Sequence, residues 1–247
     1  MITKRQMSET YLVAAILASA GGFLDAYSYI VRGRVFANAQ TGNIVLLGMN
    51  FFERDWLGCA KYLLPIIMFV AGVLLADRMR IKLADSSMHW RQYIILIEAI
   101  TLAGVSYLPV GGEYDLVANT LISFVCSLQV ESFRKVHSIS FATTMCTGNL
   151  RTATEHVSLY ATTKDEEHLK AAFKLYGIIA FFILGVIMGN LICSALERAG
   201  LIFVIFQLIA VFVLMFIDVE KQNGSKKTKQ ENAPGEDASP EDSTEDD

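Results

Sequence analysis

Charge is scarce in this chain: Asp, Glu, Lys and Arg supply only 19% of its 247 residues, against roughly a quarter in an ordinary soluble domain. Hydrophobic residues reach 53% and mean hydropathy is +0.41, so a multi-pass membrane protein is the first reading. The four cysteines, Cys59, Cys126, Cys146 and Cys193, contain no CxxC pair. They read as thiols acting as small hydrophobes, with neither a disulfide nor a metal framework. His89, His137, His156 and His168 lack HExxH or comparable ligand spacing, so no metal site is expected. Phosphate loop, nucleophile elbow and metal motif are all missing, which points away from an enzyme and gives no reason to expect a cofactor or a nucleic-acid partner.

The formal net charge of −4 belongs to one end of the chain. From Asp218 to Asp247, ten acidic residues face four lysines, which leaves the remainder slightly positive. This tail, 219–247, is almost without apolar residues and is expected to be disordered. At the other end, Lys4 and Arg5 precede an apolar run with a signal-peptidase-like Ala18-Ser19-Ala20. The apolar character continues through "GGFLDAYSYIV" for a full span, which favours an uncleaved first helix.

Six windows approach the roughly 20 apolar residues of a spanning helix: Tyr11 to Val31, Tyr62 to Ala76, Tyr93 to Val110, Leu116 to Phe133, Ala171 to Leu196 and Leu201 to Ile217. Two less apolar stretches, Val35 to Phe52 and Phe141 to Tyr160, each carry the triplet Thr-Gly-Asn. If neither crosses, an inside N-terminus places Arg78, Arg80, Lys82, Arg91, Arg134, Lys135, Arg151, Lys164 and Lys170 in the cytoplasm, as the positive-inside rule favours. Both termini are then cytoplasmic. Arg32 and Arg34, stranded on the other face, are the weak point of that arrangement.

Thr41-Gly42-Asn43 and Thr147-Gly148-Asn149 stand 106 residues apart, and the same offset sets Asp25 on Glu131. With small shifts, "FVAGVLLA" at 69–76 lies against "FILGVIMG" at 182–189, and Glu98 falls opposite Gln207. Three crossings per copy is odd, so the second copy enters from the opposite face. The expected fold is an all-α polytopic membrane protein: two inverted three-helix repeats, 1–110 and 111–218, each with an interrupted or re-entrant TGN segment.

The run "GGFLDAYSYIVRGRVFANAQTGNIVLLG" resembles the signature of the YoaK-like bacterial membrane proteins, a family without an assigned function. Its most specific part is the acid in the first helix followed by TGN and an aliphatic run, and the likeness covers about residues 1–220. The resemblance implies a multi-pass protein of the inner or plasma membrane and supplies no substrate.

A charge at bilayer depth costs about 2.5–3.5 kcal/mol on insertion scales, so an acid there faces a polar interior or a partner. Asp25 and Glu131 therefore head the candidate site. Arg32 lies on the Asp25 face of the helix, and Arg134 and Lys135 lie near Glu131. These acids either exchange protons with a solute path or are neutralised structurally. Asn38, Gln40, Thr41, Gly42, Asn43, Thr147, Gly148 and Asn149 complete the candidate path, because glycine admits close backbone approach and Thr and Asn can satisfy the ends of a broken helix. They serve equally well as helix-packing contacts. Arg32, Arg34 and Arg151, as attractors or headgroup anchors, and Glu98, an intramembrane acid, are accessory candidates. The function expected is a small secondary transporter or channel for a small polar or anionic solute, with proton coupling through the carboxylates as an option. A structural or regulatory membrane subunit, or an intramembrane enzyme, is the alternative. Partners are the lipid bilayer and the solute, with self-association left open.

Overall fold

The computed structural model describes residues 10–83, 88–136, 139–140 and 144–215. The expected acidic tail, the Lys4-Arg5 pair and the last residues of the sixth window lie outside them. The elements are α1 (Tyr11–Ile30), α2 (Gln40–Glu53), α3 (Trp56–Lys82), α4 (Trp90–Tyr107), α5 (Glu113–Ser132), α6 (Cys146–Thr163) and α7 (Glu166–Leu196), and a 3-10 turn at Glu197–Gly200 follows. Helical residues 201–215 are here called α8. A two-residue antiparallel pairing of Lys135–Val136 with Ile139–Ser140 lies between α5 and α6.

Side-chain caps start most of the long helices. Thr10 accepts from the amide of Val13, Asp55 from Gly58, and Asp165 from Glu167, while His89 and Gln92 form a reciprocal capping box. Each cap satisfies an amide that the first turn leaves without a carbonyl. Both α2 and α6 end on a basic residue in the left-handed region, Arg54 and Lys164. In each case the aspartate that caps the next helix follows at once.

The stretches long and apolar enough to cross a membrane, among the described residues, are α1, α3 and the helical run Glu166–Met215. The apolar surface is turned outward: Leu74, Ile100, Leu191 and Phe206 are all more than 60% exposed. Polar side chains are turned inward, with Gln92 and Glu98 of α4 and Asn119, Ser123, Ser127 and Gln129 of α5 buried. This inversion is what a hydrocarbon solvent demands. It also explains why α4 and α5, which lie beside the other long helices, read as less apolar than a lipid-exposed span.

Contacts along the helices fix their directions. Gly185 packs on the backbone of Ser19 and Gly189 on Phe23 and Ala26, so α1 and α7 run parallel. Gly72 packs on Phe124 and Ser127, and Ala76 clusters with Leu128, so α3 and α5 also run parallel. Asn119 donates to the Arg32 carbonyl and Gln129 to that of Leu17, so α5 is antiparallel to α1. Phe203 stacks on Phe23 at 5.5 Å and Gln207 reaches Ser19 at 3.2 Å, so α8 descends along α1 and the Glu166–Met215 run doubles back at its 3-10 turn.

Arg32 corrects the sequence reading most clearly. It is neither a partner of Asp25 nor a headgroup anchor. Its guanidinium is fully buried, bonded to the Tyr27 hydroxyl at 2.9 Å, to the carbonyls of Val105, Leu108 and Pro109, and to Asp115 at 3.3 Å. One side chain thus ties the ends of α1 and α4 to the start of α5. Five donors in a fixed fork suit this cluster of acceptors, which a lysine could not match.

Candidate functional site

After α1 the chain turns back along it. The amide of Asn38 donates to Asp25 Oδ1 at 2.7 Å, with the amides of Ala37 and Ala39 alongside, and the Asn38 side chain donates to the Gly21 carbonyl at 3.2 Å. Gly21 lies nine residues before the end of α1, so about 14 Å inward at 1.5 Å per residue. From that depth α2 starts at Gln40 and runs outward to α3. Its 14 residues span about 21 Å, too short to cross a hydrocarbon core of about 30 Å.

Asn43 holds the turn that makes this possible. Its Oδ1 accepts from the Phe36 amide at 3.0 Å, and its Nδ2 donates to the Phe36 carbonyl at 2.7 Å and to Gln40 Oε1 at 2.9 Å. A primary amide supplies the two donors and the acceptor that these three bonds use. Gly42 faces the Phe36 ring: a Cβ there would lie 2.7 Å from it.

The second TGN opens α6 at the same depth. Thr144 lies against Gly21, while Ala153 packs with Ala14, Ala18, Leu175 and Ile178 nearer the start of α1. The N-termini of α2 and α6 therefore meet near the middle of α1 and the helices leave toward opposite ends. Neither has a side-chain cap.

A cavity of about 1040 Å³ occupies this meeting point. Of the residues expected from sequence, Asp25, Asn38, Gln40, Thr41, Glu131, Thr147, Gly148 and Asn149 line it. Gly42 and Asn43 do not, because both are turned to the Phe36 turn. Among the accessory candidates, Arg32 is in its buried cluster, Arg34 takes a left-handed conformation at φ 65° in the turn after α1, Arg151 pairs with Glu155 on the exposed face of α6, and Glu98 is fully buried with neither carboxylate oxygen hydrogen-bonded among the described residues. None of these lines the cavity.

The two acids of the offset pair differ. Asp25 is held by backbone amides, whereas Glu131 pairs with Arg134 at 2.8 Å, and Arg134 itself lines the cavity. Sequence reasoning noted Arg134 only as a neutralising neighbour and passed over Thr144, Cys146, Asn190 and the apolar walls formed by Phe36, Phe69 and Phe182. Cys146 is the partly exposed cysteine here, the other three being buried.

Lipid-facing apolar helices around a polar interior and a partly open mid-depth cavity define a helical integral membrane protein. Within that class the chain belongs to the family described as protein of unknown function DUF1275, which matches residues 13–215. It is similar to the UPF0700 transmembrane protein YoaK of Bacillus subtilis (strain 168), with 24% identity over 152 residues, 58% of this chain and 65% of that protein. The match thus spans slightly less than two thirds of the relative's length. No solved structure matches significantly.

Proposed function

We propose that the protein is a small secondary transporter or channel of the plasma membrane, built from two inverted halves, that moves a small polar solute through the cavity between α2 and α6. The observation that carries this reading is the meeting of two uncapped half-helix N-termini at one mid-depth cavity. Irregular backbone is tolerated at membrane depth only where it is buried in protein or lines a water-filled space, and broken helices around a central site are a recurring transporter architecture.

Support for inverted halves comes from equivalent packing. The α1–α7 and α3–α5 pairs are exchanged when the halves are exchanged, as are the α2–α3 and α6–α7 pairs. Gly72 and Gly185, aligned by the repeat, make the close approach in each of the first two pairs. In this reading α1, α3, α4, α5, α7 and α8 cross, and α2 and α6 are re-entrant. The protein is read as non-enzymatic.

Cys146 tests the proposal without engineering. In a hydrated path it reacts with a small water-soluble methanethiosulfonate, the reaction disappears in Cys146→Ser, and modification slows solute flux in proteoliposomes. Complete protection of Cys146 in every condition would instead favour a packing subunit. Asp25 and Glu131 offer the proton-carrying groups for coupled movement, and unchanged pH dependence of uptake in both Asp25→Asn and Glu131→Gln would exclude that coupling.

A further inference from the structure

We infer that the cavity recognises a small zwitterion with an apolar body, of the α-amino acid kind, and not a simple anion or an organic cation; this rests on the solute-path reading above. The argument begins with charge. Asp25, Glu131 and Arg134 line the space, two carboxylates against one guanidinium. A helix N-terminus carries about half a positive charge, so the two that open here offset the remaining negative charge. The site is near neutral overall yet strongly polar, which suits a ligand that is itself neutral overall and carries both signs.

The placement of polar groups agrees. The first turn of α6 presents bare backbone, since the Cβ position of Gly148 meets open space and Gly148 lines the cavity; a carboxylate fits amide donors at such an N-terminus. Two residues that line the same space, Asn38 and Thr144, each keep a buried oxygen, Asn38 Oδ1 and Thr144 Oγ1, with no hydrogen-bond partner among the described residues. Their residues are only 8% and 7% exposed, and a buried oxygen of this kind calls for a donor. An ammonium beside Asp25 supplies one. Phe36, Phe69 and Phe182 give the body of the ligand an apolar wall.

The test compares L-phenylalanine with 3-phenylpropionate and 2-phenylethylamine, which share one body and each lack one charge, in binding to the purified full chain by equilibrium dialysis. Phenylalanine is expected to bind at least about tenfold more tightly than either analogue. Thr144→Val should weaken phenylalanine by about the same factor with an unchanged melting temperature. Equal binding of the amine would make this an organic-cation site, equal binding of the acid an anion site, and no binding of any of the three a site for other chemistry; each overturns the inference. Cys146 reactivity is read in parallel: a reactive Cys146 with no preference for the zwitterion refutes only the ligand class, whereas an unreactive Cys146 refutes the path.

Discussion

Arg32 shows how one residue can hold a polar interior together and leave the chemistry elsewhere. Its guanidinium bonds to Tyr27, three carbonyls and Asp115 without exposure. Breaking a buried ion pair by removing one partner costs about 3–5 kcal/mol. Arg32→Leu is therefore expected to lower stability strongly in a denaturation series, and Arg32→Lys to recover little, because three donors replace a planar fork. Asp115→Asn should cost less, since Asp115 is partly exposed and the carbonyl acceptors stay. Sequence periodicity places Arg32 on the Asp25 face of α1 and so suggests that pair. Apart from Tyr27, the real partners lie more than seventy residues away at the α4–α5 turn, and helical spacing carries no information about a contact made by tertiary packing. Asp25 itself was legible as an acid needing company. That its company is the backbone of residues 37–39 was not, since every residue type carries the same amide.

At the scale of elements, the two TGN triplets are identical in sequence and unequal in structure. Asn43 pins the turn before α2, and its first glycine neighbour, Gly42, is closed off by Phe36. Gly148 faces open cavity. Gly42→Ala should lose about 1–3 kcal/mol, as overpacking typically costs. Gly148→Ala should leave stability unchanged or raise it by about 0.5–1 kcal/mol, the gain expected of Ala over Gly within a helix, while narrowing the path and lowering flux. Asn43→Asp should behave as poorly as Asn43→Ala in the same denaturation assay, because it removes the donor to the Phe36 carbonyl and leaves a charge in a buried turn. Comparable losses for the two glycine variants would show that the asymmetry has no energetic weight. The element boundaries were largely readable from hydrophobic runs. Arg54-Asp55 and Lys164-Asp165 carry a further signal: each pair closes a helix with a left-handed residue and caps the next with aspartate, a punctuation mark shared by the two parts of the chain.

For the whole molecule, orientation turns on which stretches cross. The positive-inside rule applies to charges in loops, not to charges buried in protein. Arg32 is buried and paired, so it leaves the count, and the main objection to an inside N-terminus with six crossings leaves with it. What remains on the α1 C-terminal side is Arg34, Arg54, Lys61 and Arg198, against Arg78, Arg80, Lys82, Arg91, Arg134, Lys135, Arg151, Lys164 and Lys170 on the other. The six-crossing arrangement puts the turn before α5 outside after three crossings, whereas a crossing α2 would add a fourth and put it inside. Glu113, exposed at the start of α5, and Thr162, exposed at the end of α6, therefore report the topology. In a Cys146→Ser background, Glu113→Cys is expected to react with a membrane-impermeant maleimide in intact cells and Thr162→Cys only after lysis. Protection of Glu113→Cys until lysis would place α2 across the bilayer, and the shared mid-depth start of α2 and α6 would then no longer be the centre of a membrane path.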